Sequence, residues 1–169
     1  AILSTGSELV EPGLPVALGQ ITDSNSFTLT ASAREAGAVA FRVAPVPDDE
    51  TTLLGLIEDQ LVRADVVVTS GGVSAGAYDV VKAVLSELGT VTFDRVAMQP
   101  GMPQGFGTIG DDATPIFTLP GNPVSAFVSF EVFVRPAIRK MLGVSRLHRP
   151  SAKAILQSSR PASEVLTAL

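Results

Sequence analysis

The run Asp65-Val66-Val67-Val68-Thr69 leads straight into Ser70-Gly71-Gly72-Val73-Ser74-Ala75-Gly76. This junction constrains the fold more than any other stretch. Adjacent valines leave no polar face, so their strand must be covered on both sides, as the central strand of a parallel sheet is. The glycine-rich turn then has to feed a helix that returns across the sheet. The spacing predicts that helix from about Asp79 to Leu88, ended by Gly89.

The same unit recurs along the chain. Ala1-Ile2-Leu3 is an apolar strand without a leading methionine, the expected start of a domain cut from a longer protein. A helix is expected over Ser24 to Ala36, capped by Asp23 or Ser24 and stopped by Gly37, and a short strand over Val39 to Val43. A second helix, capped by Asp48 or Asp49, carries Leu53, Leu54, Ile57 and Leu61 at helical spacing. Val91 to Ala97 and Gly105 to Ile109 read as strands about the turn Gln99-Pro100-Gly101-Met102-Pro103. Ile116 to Leu119 is a buried strand, and Pro120-Gly121-Asn122-Pro123 opens a long helix to about Leu142. Alternation of this kind predicts an α/β fold, its sheet mostly parallel with helices on both faces. Residues 1–144 form that domain, and residues 145–169 read as a linker and the truncated start of a C-terminal β domain.

Composition narrows the function. The 169 residues are 46% hydrophobic and 17% charged, enough for one ordinary core. No apolar run reaches the ~18 residues of a spanning helix, so no membrane is expected. A net charge of −5 argues against nucleic acid as a partner. The absence of cysteine removes disulfides, thiolate zinc sites and cysteine nucleophiles, and suits the cytoplasm. With His148 as the single histidine, a bound metal should be a hard, oxygen-liganded ion such as magnesium.

In a parallel sheet, strand-to-helix loops emerge at the carboxyl edge, where ligands bind. Connectivity therefore gathers Ser4 to Glu8, Pro47 to Asp49, Ser70 to Asp79 and Leu119 to Ser125. The edge taken by Gln99 to Pro103 depends on strand direction. In the Ser70 to Gly76 loop, exposed amides before a helix make an anion site, with Ser70 and Ser74 adding hydroxyls. The alternative is a tight turn, and the loop has neither a Walker ending nor a dinucleotide fingerprint. Asn122 as N-cap and Pro123 at the first helical position make a second anion site, or simply a well-formed helix start. Glu8, Asp48 and Asp79 are candidate magnesium ligands beside a phosphate. The alternative for Asp48 and Asp79 is helix capping.

At these residues the sequence resembles the MoeA/gephyrin-type molybdopterin molybdotransferases. STGSEL, GQITDSNS, VPDD, TSGGVSAGAYD, VAMQPGMP and LPGNPVSAF occur in the family's order, over about Ala1 to Gly143. The resemblance implies a three-layer α/β/α, MogA-like domain. It also implies insertion of molybdate into adenylyl-molybdopterin, with magnesium-dependent release of AMP. On that basis Glu8, Asp48 and Asp79 surround the metal, and Asp79, Glu8 and Arg95 are catalytic. Thr5, Gly6, Ser70, Gly71, Gly72, Val73, Ser74, Pro120, Gly121, Asn122, Pro123 and Ser125 would hold molybdopterin, and Gln99, Pro103 and Ser125 molybdate. The family's other domains and a second subunit, making a homodimer, are the implied partners. The chain departs from the family's basic loop: Arg95 keeps the first charge, but Gln99 and Met102 replace two lysines.

Two further readings stand beside this one. Loss of the lysines suits a scaffold domain that binds molybdopterin without turnover, as in gephyrin's clustering role. Gly72-Val73-Ser74-Ala75-Gly76 also fits the G-x-S-x-G nucleophile elbow, with Ser74, an aspartate and His148 in hydrolase order. His148, however, lies in a basic, proline-flanked segment.

Overall fold

The computed structural model describes residues 1–72 and 77–152, the side chains of 77–79 excepted. In chain order the elements are β1 (Ile2–Ser4), β2 (Leu9–Val10), β3 (Ile21–Thr22), α1 (Asn25–Ala36), α2 (Glu50–Leu61), β4 (Val67–Ser70), α3 (Ala77–Leu88), β5 (Gly89–Arg95), β6 (Pro103–Ile109), β7 (Thr114–Leu119), α4 (Pro123–Ser129), a π-helical turn (Phe130–Val134) and α5 (Arg135–Met141).

The central sheet has the order β1-β4-β7-β6-β5. β1, β4 and β7 pair parallel, with Leu3 opposite Thr69 and Thr69 opposite Thr118. β6 pairs antiparallel with both β7 and β5. β5 therefore points the same way as the parallel strands, and β6 alone opposes them. The reason is chain length. Val96 to Met102 is too short for a crossover, which needs a dozen or more residues. The chain makes a hairpin instead, and the turn between β5 and β6 falls on the carboxyl edge of β1, β4 and β7.

Each sheet face carries its own core. Ile2, Val68, Phe117 and Leu119 pack against Leu29, Ala33 and Ala36 of α1, Ala126 of α4, Phe130 and Val134 of the π turn, and Ile138 of α5. Leu3, Val67 and Ile116 face the other way, onto Leu53 and Ile57 of α2 and Val81, Val84 and Leu85 of α3. This is three layers, α/β/α. The valine run is covered on both sides, as its composition requires.

The structure differs from the sequence reading in three places. The expected strand Val39 to Val43 appears only as isolated bridges, Ile2 to Arg42 and Thr5 to Val46. Pro45 and Pro47 have no amide to extend that ladder. β2 and β3 form a small separate parallel pair that the sequence did not announce. The long last helix widens into the π turn just ahead of Pro136, whose missing N–H and ring disturb an α-helical ladder.

After α5 the chain folds back along the α1/α5 face. Arg135 Nη1 donates to the Leu147 carbonyl at 3.0 Å and Arg139 Nε to the Arg146 carbonyl at 2.7 Å. Arg149 pairs with Glu131 at 2.6 Å and with Glu35 at 2.9 Å. That contact holds the Glu131 carboxyl below its ordinary range, chiefly through the hydrogen bond from Arg149, and raises Arg149. The expected β-domain start continues into residues 153–169, outside the described part.

Candidate functional site

The loops leaving β1, β4 and β7 meet backbone to backbone. The Thr5 amide donates to the Ser70 carbonyl at 2.8 Å, and the Gly71 amide to the Leu119 carbonyl at 3.1 Å. A Cβ on Gly71 would lie 2.2 Å from the Thr5 carbonyl oxygen, so only glycine fits there. Gly71 and Gly72 are both left-handed, with φ +94° and +67°. A Cβ on Gly121 would sit 3.4 Å from Gly71 Cα, so the two amide-rich loops touch. Thr5, Gly6, Ser70, Gly71, Gly72 and Pro120 are buried at this junction, while Gly121, Asn122 and Pro123 are exposed on its rim. Val73 and Ser74 lie outside the described residues.

Asn122 caps α4: its Oδ1 accepts from the Ser125 amide at 3.1 Å and the Ser125 hydroxyl at 3.3 Å, and Pro123 follows at the first helical position. The α1 end is built differently. Asp23, not Ser24, accepts from the Ser26 amide at 3.1 Å and also holds the Ser26 hydroxyl. Asn25, the first residue of α1, donates from Nδ2 to Ser70 Oγ and to the Gly121 carbonyl, each at 2.7 Å.

The acidic residues divide by role. Asp49 caps α2 by accepting from the Thr52 amide at 2.8 Å and the Thr52 hydroxyl at 2.6 Å, and these bonds hold its carboxyl below the ordinary value. Asp48 is thereby left free of capping. Its Oδ2 accepts from the Ser7 amide at 3.2 Å, and its own amide donates to Ser7 Oγ at 3.0 Å. Asp48 Oδ1 is buried without a hydrogen-bond partner. An anionic oxygen in that state suits a cation. The Glu8 carboxylate lies against Gly6, 2.7–2.8 Å from where a Cβ would stand, one residue from the Ser7 that grips Asp48. These two carboxylates fit magnesium in donor chemistry. Asp79 falls in the first turn of α3, but its side chain lies outside the described part, and among the described residues no group of three metal-ligating side chains assembles.

The β5–β6 turn is tied to the same edge. Gln104 Nε2 donates to the Gly101 carbonyl and to Ser129 Oγ, both at 2.6 Å, joining the turn to the end of α4. Gln99 is exposed and Pro103 half-buried. Arg95 directs Nε and Nη2 at Met102 Sδ, at 3.2 and 3.0 Å. Met102 thus occupies a guanidinium with a neutral sulfur.

Reasoning from sequence missed Asn25 and Gln104 as site-forming residues. Asn25 stands within GQITDSNS but reads as an ordinary helix start, and Gln104 reads as a strand residue. Nothing local reports the loops they bridge. The hydrolase arrangement gains no support: His148 is exposed on the returning segment, beside the Arg149 that pairs with Glu35. Glu35 is at the opposite end of α1 from Asn25, roughly 15 Å along the helix. A cavity of about 430 Å³ lined by Glu58, Glu87, Asp111 and Asp112 opens at the other edge of the sheet, where its carboxylates would repel an anion.

Fold and site define a class: a three-layer α/β domain that gathers glycine-bearing loops, rimmed by carboxylates, at the carboxyl edge of its parallel strands. Comparison with known proteins narrows it. The family described as probable molybdopterin binding domain matches residues 1–140, and this chain belongs to that family. It is 49% identical over 164 residues to molybdopterin molybdenumtransferase 2 of Mycobacterium tuberculosis, covering 94% of this chain and 40% of the relative. It is 50% identical over 143 residues to molybdopterin molybdenumtransferase 1 of the same organism, covering 85% of this chain and 34% of the relative. The crystal structure of the molybdopterin biosynthesis moea protein from Pyrococcus horikosii matches with TM-score 0.74 and 37% identity, over 84% of this chain and 34% of the other. The chain thus spans well under half the length of these relatives. Among the described residues, no helix is long and apolar enough to cross a membrane.

Proposed function

We propose that this chain is the molybdopterin-handling domain of a cytoplasmic molybdopterin molybdotransferase, which inserts molybdate into adenylyl-molybdopterin and releases AMP. The contact of the Gly71 and Gly121 loops carries this reading. Adjacent amide-rich turns at one edge suit a ligand with more than one anionic group. The Gly71 amide is taken by the Leu119 carbonyl and the Ser125 amide by Asn122 Oδ1, so the Gly72 and Val124 amides would be the donors to phosphate. Thr5 and Ser70 hold those loops in place, and Ser125 and Asn122 fix the α4 entry. Arg95, Gln99 and Pro103 line the turn assigned to molybdate. Glu8, Asp48 and Asp79 would hold magnesium, which supplies Lewis acidity and offsets charge between the carboxylates and the polyanion. Water cleavage of the phosphoanhydride then yields AMP and leaves the pterin phosphate. A second copy and the remaining domains are the partners. The exposed side chains of Leu14, Val16, Leu18, Phe127 and Val132 are consistent with such contacts.

The deciding experiment is Asp79→Asn in the full-length enzyme. Magnesium-dependent AMP release should be abolished, and undiminished release overturns the assignment. The engagement of Arg95 by Met102 favours a second reading, a binding domain without turnover. Calorimetry with molybdopterin, run beside a molybdate-insertion assay, separates the two: binding without insertion selects the scaffold, and insertion rejects it.

A further inference from the structure

We infer that Asn25 is a positioning residue that sets the spacing of the two amide-rich loops and so the fit of the anionic ligand; this rests on the proposed molybdopterin reading. The two acceptors of Asn25 Nδ2 belong to different loops: Ser70 Oγ ends β4, and the Gly121 carbonyl precedes α4, each at 2.7 Å. The carbonyl can only accept, which fixes the amide group's orientation. Both protons of the NH2 are therefore spent, one on each loop. Because Nδ2 donates to Ser70 Oγ, the serine hydroxyl keeps its own proton to donate elsewhere. Asn25 is 9% exposed, so water does not readily replace these bonds. Its place is set from behind, because α1 starts at the Asp23 cap and packs through Leu29 and Ala33 onto the sheet. Besides this clamp, the loops are linked by the Gly71 amide bond to the Leu119 carbonyl. That bond ties Gly71 to the last residue of β7 and leaves Gly121 two residues beyond it. Asn25 supplies the restraint on Gly121 itself.

The test uses the full-length protein with Asn25→Asp and Asn25→Ala. Asp keeps the shape but replaces both donors by an oxygen that repels the Gly121 carbonyl, while Ala removes the clamp without adding charge. Three quantities are read: the melting temperature, the Kd for molybdopterin measured well below melting, and hydrogen exchange over peptides covering residues 69–72 and 119–125. We expect Kd to weaken at least tenfold in both variants, and exchange to rise at least tenfold in those two segments while the α2 and α3 cores stay protected. A lower melting temperature with unchanged Kd, and exchange rising evenly across the chain, would make Asn25 merely structural and overturn the inference. If the unmutated protein fails to bind molybdopterin, the proposed function fails. The exchange pattern then decides by itself: acceleration confined to the two loops upholds the clamp, and uniform acceleration removes it.

Discussion

Replacing Gly71 by alanine should cripple the fold, while the same change at Gly121 should leave it standing. At Gly71 two costs add. With φ at +94° an alanine is forced into the left-handed region, about 1–2 kcal/mol. Its Cβ would also lie 2.2 Å from the Thr5 carbonyl oxygen, roughly 1 Å inside van der Waals contact. That obstacle is backbone, anchored by the Thr5 amide bond to the Ser70 carbonyl at 2.8 Å, so it cannot swing aside. Relieving such overpacking costs about 1–3 kcal/mol. The sum, about 2–5 kcal/mol, is a large share of the roughly 5–15 kcal/mol that holds a domain together. In urea, with a slope of about 2 kcal/mol/M, the midpoint should fall by roughly 1–2.5 M. At Gly121 the new methyl meets Gly71 Cα at 3.4 Å, an ordinary contact, and φ lies outside the left-handed region. Stability there should change by no more than about 0.5 kcal/mol. Equilibrium urea unfolding of the two variants beside the parent is the assay. Equal losses, or a Gly71→Ala protein within about 0.5 kcal/mol of the parent, would refute the stacked arrangement of Thr5, Gly71 and Gly121.

Further outcomes follow from other contacts. Gln104→Leu strips donors from the Gly101 carbonyl and Ser129 Oγ; it should cost about 1–3 kcal/mol and speed exchange of the Val96 amide, which bonds the Met102 carbonyl at 2.8 Å. An unchanged exchange rate at Val96 would show that the turn stands without this tether. Asp49→Ala should lower the urea midpoint through loss of the α2 cap. Asp48→Asn should instead weaken magnesium binding in calorimetry at little cost in stability, and the reverse pattern would exchange the two roles. Because the folded state depresses the Glu131 carboxyl, the stability from its Arg149 contact is present above the unfolded carboxylate value and is lost as pH falls through the folded value. The Arg149 side-chain resonance should therefore hold steady until pH falls below the range of an ordinary glutamate, and movement near neutrality would contradict the pairing.

The layered, mostly parallel fold was legible because burial leaves a compositional trace. The valine run had to be covered on both faces, and Gly37 and Asn122 marked helix boundaries by chemistry that acts within three residues. The hairpin's edge was not legible from the local pattern, because strand direction is set by how β6 pairs with β7. The π turn and the bridges at Arg42 and Val46 arise from prolines whose effect depends on tertiary neighbours. At the site, the glycines announced themselves, since only they tolerate φ near +94°. Asn25 and Gln104 did not, because each joins segments far apart in sequence. Asp48 and Asp49 are chemically alike and adjacent, and only the Thr52 and Ser7 contacts tell them apart.

The β5–β6 hairpin hangs from the sheet through β7 alone, yet its bend reaches the edge where the other loops gather. Evolution can therefore treat the stretch from Val96 to Met102 as an interchangeable cassette. Exchanges at Arg95, Gln99 and Met102 change the charge offered at that edge, while the backbone junction of Thr5, Gly71 and Gly121 is inherited untouched.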